Sequence, residues 1–115
     1  KVANDRYGED SPQAADAFKD LATLYFQKGQ LSKAETYFNK SLSIKSKSFG
    51  EMSVSAAEVM TALAMLYTRE KKYVQADGLF RKALEIRTKE LGADSPQAKR
   101  TRELYAVLQK RMKGR

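Results

Sequence analysis

The chain of 115 residues contains no cysteine, no histidine and no tryptophan, and only two prolines. Without cysteine and histidine it cannot form disulfides, and it lacks thiolate nucleophiles, imidazole bases and the usual ligands of zinc. Carboxylates, lysines, tyrosines and hydroxyl groups remain, but no motif organises them into a catalytic arrangement. We therefore expect no catalytic residue, no bound metal and no cofactor, and a function other than that of an enzyme.

Long apolar runs are also absent, because no stretch approaches the roughly 20 residues that a membrane-spanning helix needs. No signal-peptide pattern appears at the start, although the sequence begins at Lys1 and a targeting segment could have been removed. The absence of cysteine fits a reducing compartment. We therefore expect a cytoplasmic protein, or an organellar one if a targeting segment was removed. With 42% apolar and 31% charged residues, the composition predicts a single folded domain.

Positive charge is in excess and lies mainly near the C-terminus. The formal net charge is +8, and residues 81–115 contain eleven lysines and arginines against four acidic residues. Residues 1–80 are nearly balanced, with eleven against ten. A basic surface of this kind favours acidic partners and accelerates their association.

A seven-residue phrase occurs near both ends of the chain, as GEDSPQA at 8–14 and GADSPQA at 92–98. A weaker copy, GEMSVSA, lies halfway between them at 50–56, which gives a period of 42 residues. The same register aligns TLYFQKGQLSKAE at 23–35 with MLYTREKKYVQAD at 65–77. An internal repeat of this length indicates a stacked array. We predict one domain over 1–115, with repeats at 8–49 and 50–91, a capping half repeat at 92–115, and the tail of a preceding helix at 1–7.

Within a repeat, apolar residues recur at helical spacing. Phe18, Leu21, Ala22 and Tyr25 follow the pattern i, i+3, i+4, i+7 of one helix face. A second stripe with this spacing follows in the same repeat, consisting of Ala34, Phe38, Ser41, Leu42 and Lys45. Each complete repeat therefore contains two helices. We expect close crossings of these pairs at their small residues, which are Ala22, Ala34, Ala64 and Ala76.

Start and stop signals delimit the helices. Ser11, Ser53 and Ser95 are candidate N-caps, and proline follows the first and the last of them. Gly29 is placed to end the first helix in a left-handed conformation, and Gly50 and Gly92 to end the second helices in the same way. Five helices are predicted, at about 12–28, 31–48, 54–70, 73–90 and 96–113.

The repeat resembles a known family. An L-A-x-L-Y segment, a turn, then A-E-x-x-F and A-L-x-I are similar to the tetratricopeptide repeat, and the 42-residue period resembles the longer form found in kinesin light chains. This resemblance implies an all-α fold, a right-handed α-solenoid of antiparallel helix pairs. It also implies that the first helices line a concave groove in which a peptide of a partner protein binds. The Asn pair with which kinesin light chains grip peptide backbones is replaced here by Lys19-Asp20 and Thr61-Ala62.

The candidate binding residues lie on the stripe beside the core stripe of each first helix. Three of them, Phe26, Met65 and Val107, are apolar where a purely solvated face would be charged. Basic residues of the stripe would attract acidic side chains of the partner. The full predicted groove set is Lys19, Thr23, Phe26, Gln27, Thr61, Met65, Arg69, Arg100, Glu103, Val107, Lys110 and Arg111.

Two other interpretations remain open from the sequence. The flanks of the terminal helices could stack on another copy of the chain or on further repeats, which would make this a structural or self-associating unit. The basic last helix could instead bind an acidic surface or nucleic acid phosphates. Nucleic acid is disfavoured, because the chain contains no recognised nucleic-acid module and no array of stacking aromatics.

Overall fold

The computed structural model describes residues 11–114, and over this range the chain forms five α-helices and no strand. Every predicted boundary agrees with the observed one to within a residue, and the predicted all-α fold class is confirmed. The predicted helix tail at 1–7 lies outside the described residues. The helices are α1 (Pro12–Gln27), α2 (Leu31–Phe49), α3 (Val54–Arg69), α4 (Tyr73–Leu91) and α5 (Pro96–Lys113).

The predicted serine caps begin the first helix of each repeat. Ser11, Ser53 and Ser95 have extended backbones, and each is followed by a helix. Their Oγ atoms accept hydrogen bonds of 3.0 to 3.1 Å from the backbone N–H groups of Ala14, Ala56 and Ala98. Each bond satisfies one of the N–H groups that a helix start leaves without a partner. The repeated phrase in the sequence is therefore the cap that starts each repeat.

The first helices end as predicted, but the glycines that end the second helices adopt a different backbone conformation from the predicted one. Gly29 has φ +82°, as predicted, and the residue 42 positions later is Lys71 at φ +66°. A non-glycine residue in this left-handed region costs about 1–2 kcal/mol. Gly50 and Gly92 also have positive φ, at 100° and 96°, but their ψ values of 151° and 147° are extended. They turn the chain without the left-handed helical conformation predicted for them.

Small residues bring the two helices of each pair together, as predicted. Ala22 of α1 and Ala34 of α2 are completely buried, and so are Ala64 of α3 and Ala76 of α4. Ser41 of α2 strengthens the first pair, since its hydroxyl donates a buried 2.8 Å hydrogen bond to the backbone oxygen of Ala15. The pairs α1–α2 and α3–α4 make the most extensive helix contacts among the described residues.

Neighbouring pairs stack through equivalent leucines. Leu66 of α3 is fully buried in a cluster with Phe38 of α2, and Leu108 of α5 is fully buried with Phe80 of α4. Each later first helix thus packs on the second helix of the repeat before it. This arrangement leaves α1, α3 and α5 side by side along one face. Between residues 11 and 114, no helix is long and apolar enough to cross a membrane.

Candidate functional site

Three pockets lie along the face formed by α1, α3 and α5, which we call the concave face. The first, the apolar pocket, has a volume of about 230 Å³. Its lining comes from three first helices and one second helix, and consists of Phe26, Met65, Thr68, Arg69, Phe80, Leu104, Val107 and Arg111.

The other two pockets flank it. A threonine pocket of about 270 Å³ is lined by Thr23, Phe26, Gln27, Phe38, Ala62 and Met65. An arginine pocket of about 370 Å³ is lined by Glu58, Thr61, Ala62, Met65, Arg87, Pro96, Gln97 and Arg100. Met65, near the middle of α3, lines all three pockets. The three pockets therefore adjoin one another at this methionine.

The apolar pocket offers accessible hydrocarbon surface. Phe26 and Met65 are half-buried, and Val107 is 48% exposed. The hydroxyl group of Thr68 donates a 2.8 Å hydrogen bond to the backbone oxygen of Ala64, which satisfies its polar atom within α3. Concave apolar surface with a few polar groups at its rim is typical of binding sites.

Arg69 lies over the end of α1. Its Nη1 donates a 3.2 Å hydrogen bond to the backbone oxygen of Phe26, and its guanidinium carbon lies 5.2 Å from the centroid of the Phe26 ring. The last carbonyl groups of a helix lack intrahelical partners and carry partial negative charge, so an arginine is favoured there. This cation also stacks on the aromatic ring. The guanidinium thus fixes the ring in the pocket wall, and its remaining N–H groups form part of the rim.

A cluster of ion pairs joins the first three helices at the other end of the face. The amine of Lys45, whose side chain is only 3% exposed, lies 3.4 Å from Asp16 and 3.3 Å from Glu58. Lys19 lies 2.9 Å from the second oxygen of Glu58. Burial opposes ionisation of Glu58, but the hydrogen bond and charge of Lys19 and the charge of Lys45 together lower its pKa. Lys19, predicted to contact a partner, is therefore engaged in an internal ion pair.

The next repeat has a different charge pattern at the same place. Arg87 of α4 is 9% exposed, and its Nη1 donates a 3.0 Å hydrogen bond to the hydroxyl oxygen of Thr101 in α5. Its Nε is buried and has no acceptor among the described residues. The pKa of Arg87 is lowered overall, mainly by burial. The negative charge of Glu58 opposes this shift, and the positive charge of Arg100 adds to it. A buried guanidinium thus lies near one shared carboxylate and a second cation.

Nine of the twelve predicted groove residues line these pockets. Lys19, Glu103 and Lys110 line none of the three, and the last two are exposed on α5. Thr61 is only 7% exposed, and its hydroxyl donates to the backbone oxygen of Ala57 at 2.9 Å. The structure thus brings most of the predicted set together, while its participation in binding remains a prediction.

The sequence interpretation missed Arg87 because it considered only the first helices. A signal was present, since Arg87 lies 42 residues after Lys45, which belongs to a core stripe. The position of Asp16, which pairs with Lys45, is occupied by Glu58 in the second repeat and by Arg100 in the third. Comparing the charges at equivalent positions of successive repeats would have shown that Arg87 has one acidic neighbour fewer than Lys45. Over the part of the chain that the structure describes, no acidic cluster is arranged to hold a metal ion.

Stacked helix pairs with a pocketed face made by their first helices define an α-helical repeat protein. The family model of the tetratricopeptide repeat matches residues 1–47 and 55–115, and the chain belongs to this family. Tetratricopeptide repeats generally mediate protein–protein interaction, and the fold is in general not that of an enzyme.

A solved structure supports the predicted repeat type. The chain is similar to BtubC (BKLC) from P. vanneervenii, a kinesin-light-chain-like tetratricopeptide protein, with a TM-score of 0.79 and 26% identity. The likeness covers 85% of this chain and 39% of that one, so the chain spans about two fifths of the length of BtubC. No curated protein matches the sequence.

Proposed function

We propose that the concave face binds an extended or helical segment of a partner protein, and that acidic segments bind best. The observation that carries this proposal is the meeting of three pockets at Met65. Adjoining pockets along one face can accept successive side chains of one segment. Anchoring of a few side chains in such pockets provides most of the affinity of a protein interface.

The charge of the rim supports the acidic preference. Arg69 and Arg111 border the apolar pocket, and Arg87 and Arg100 border the arginine pocket. Glu58 is the acidic residue lining these pockets, and it is already paired with Lys19 and Lys45. A partner carboxylate would therefore meet uncompensated positive charge, which accelerates association and weakens as salt is added.

Selection from a random 12-residue peptide library tests the proposal, followed by affinity measurements on acidic, neutral and basic peptides at two salt concentrations. We expect the selected peptides to carry net negative charge and to weaken with salt. Arg69→Glu combined with Arg111→Glu should abolish the acidic preference. Lys89→Glu combined with Lys99→Glu is the matched control, since it changes the net charge equally at exposed positions outside the three pockets. Equal affinity for acidic and basic peptides would contradict the preference.

A second candidate function is self-association through the outer side of α1. Leu24 is 46% exposed, whereas Leu66 and Leu108, its equivalents 42 and 84 residues later, are completely buried against the preceding repeat. The exposed leucine thus belongs to a surface that this fold uses for stacking. Another copy of the chain or a further repeat would complete that contact.

Light scattering over a concentration series tests this second function. Self-association predicts a mass that rises with concentration, and Leu24→Glu should restore the monomer because it places a charge in an apolar contact. Val74→Glu is the control, since Val74 on α4 is 80% exposed. A constant monomeric mass would exclude self-association in this range.

A further inference from the structure

We infer that Arg87 and Arg100 form an oxyanion site that binds a side-chain carboxylate of the bound polypeptide. This inference rests on the proposed function, since it names the chemistry of one part of the concave face. The site includes Arg87, a buried arginine of the second helix α4. The predicted groove residues all lie on first helices and do not include it.

The two junctions between repeats differ in the number of carboxylates near the buried cation. At the first junction the buried Lys45 has two carboxylate neighbours, Asp16 at 3.4 Å and Glu58 at 3.3 Å. At the second junction the corresponding cation is Arg87, and the corresponding positions are Glu58 and Arg100. One carboxylate is thus shared between the junctions, and an arginine replaces the other. The second junction therefore has one carboxylate fewer than the first.

The guanidinium of Arg87 is incompletely hydrogen-bonded. Arg87 is more than nine-tenths buried, and of its donors Nη1 bonds to Thr101 while Nε has no acceptor within the described residues. The hydroxyl of Thr101 in turn donates to the backbone oxygen of Gln97 at 2.7 Å, which fixes its orientation. A buried donor without a partner is costly, and a buried charge without a counterion more so. An oxyanion held beside the guanidinium in the pocket would offset the cost of its buried charge.

The arginine pocket gives a ligand access to this charge. Arg87 and Arg100 line the same arginine pocket of about 370 Å³, together with Pro96 and Gln97 in the first turn of α5. The start of a helix carries partial positive charge from its aligned peptide dipoles, which adds to the attraction for an anion. Two guanidinium groups and a helix start therefore surround one pocket. A carboxylate matches the fork of N–H donors that a guanidinium presents.

The position of the arginine pocket beside the other two pockets indicates the source of the carboxylate. The arginine pocket shares Met65 with the apolar pocket and shares Ala62 with the threonine pocket. A polypeptide lying along the concave face thus passes over the arginine pocket and can direct an acidic side chain into it. A side-chain carboxylate of the partner is the occupant that this continuity favours.

Nuclear magnetic resonance of the arginine Nε–Hε groups tests the site directly. The probes are acetyl-glutamate methylamide, its neutral glutamine counterpart and acetyl-phosphoserine methylamide, at constant ionic strength. We expect the glutamate probe to shift the Arg87 and Arg100 signals saturably, and the glutamine probe to leave them unchanged. The signal of Arg81, an exposed arginine that pairs with Asp77 of its own helix, is the internal control.

Two substitutions are expected to change the affinity for the glutamate probe in opposite directions. Arg100→Gln, an exposed substitution that should not disturb folding, is expected to weaken glutamate binding about tenfold, because it removes a charged donor. Glu58→Gln should strengthen binding, because it removes the competing negative charge from the pocket wall. The inference is overturned if Arg87 responds no more than Arg81, or if Arg100→Gln leaves the affinity unchanged. Binding of the phosphoserine probe alone would overturn the carboxylate assignment.

The two proposals fail separately in these experiments. If selected peptides bind the concave face but the glutamate probe leaves Arg87 unaffected, the oxyanion site is wrong and the proposed function stands. If the probe binds at Arg87 but no peptide is selected, the site stands and polypeptide binding by this face is contradicted.

Discussion

The hydroxyl group of Tyr105 donates a 2.7 Å hydrogen bond to the carboxylate of Asp77 across the junction between α4 and α5. The preceding junction contains the same bond, from Tyr67 to Glu35 at 2.8 Å. Glu35 and Asp77 are equivalent by the 42-residue period, whereas the two tyrosines are not. Tyr105 is the counterpart of Leu63, one helical turn before Tyr67. The acceptor carboxylate thus occupies the same position in both repeats, whereas the donor tyrosine lies on a different turn of the first helix.

Removing either tyrosine hydroxyl should weaken the stacking of repeats. We expect Tyr67→Phe and Tyr105→Phe each to lower the free energy of unfolding by about 1 kcal/mol, because each removes a hydrogen bond to a partly buried carboxylate. Urea unfolding followed by circular dichroism measures the change. Tyr25→Phe is the control, because the ring at this position stacks on Tyr37 with centroids 5.8 Å apart and the substitution preserves that contact. Equal effects at all three positions would contradict this account.

The same hydrogen bonds predict a loss of stability in alkali. Burial raises the pKa of Tyr67, and the hydrogen bond to Glu35 raises it further. The folded protein therefore retains this proton where the unfolded chain, with a tyrosine pKa of about 10, releases it. The stabilisation is complete below pH 10 and is lost as the pH rises through the folded-state pKa. We expect the stability difference between wild type and Tyr67→Phe to shrink above pH 10, and a difference that stays constant would contradict the prediction.

Gly78 lies exposed inside α4, and a Cβ atom added there would meet nothing within 4 Å. The glycine therefore makes no close contact that requires it, and it weakens the helix. Gly78→Ala should raise the free energy of unfolding by about 1 kcal/mol. Gly92→Ala, at a position with φ +96°, should lower it instead, because a side chain is strained there. Thermal unfolding of both variants checks the pair, and a loss of stability in Gly78→Ala would be inconsistent with the open space around it.

The ion cluster predicts acid sensitivity. The pKa of Glu58 is lowered because Lys19 and Lys45 outweigh the effect of its burial. The folded protein then binds fewer protons than the unfolded chain near pH 4, so the stabilisation is present above the unfolded value of about 4.5 and is lost as the pH falls. We expect Glu58→Gln to flatten the dependence of the unfolding free energy on pH between about 5 and 3. Glu85→Gln, which removes an exposed carboxylate of α4, is the charge-matched control, and an unchanged slope in Glu58→Gln would refute the prediction.

Much of the fold could be read from local chemistry. The serine caps, the prolines that follow two of them and the helical spacing of apolar residues are local signals, and they predicted the helices to within a residue. The close crossings at Ala22 and Ala64 followed from residue size. These features depend on backbone geometry and side-chain volume, which a single sequence contains.

The site was harder to predict, because side-chain partners depend on how the repeats stack. Helical spacing in the sequence placed Arg69 on the correct face of its helix. It could not show that the guanidinium bonds to the end of α1 and stacks on Phe26. Nor could it show that Lys19 is held by Glu58. Arg87 was missed because candidate binding residues were sought only on the first helices, and Arg87 lies on a second helix. Distances between helices decide each of these pairings.

The affinity of a selected acidic peptide for wild type, Met65→Glu and Val74→Glu tests the central claim most directly. Met65 lines all three pockets, whereas Val74 is an exposed apolar residue of α4, and both substitutions introduce the same charge. The account predicts that Met65→Glu weakens binding about tenfold or more, because a carboxylate enters the apolar centre of the site, and that Val74→Glu retains wild-type affinity. Circular dichroism confirms that both variants are folded. Wild-type affinity in a folded Met65→Glu variant would contradict the claim that partners bind on the concave face.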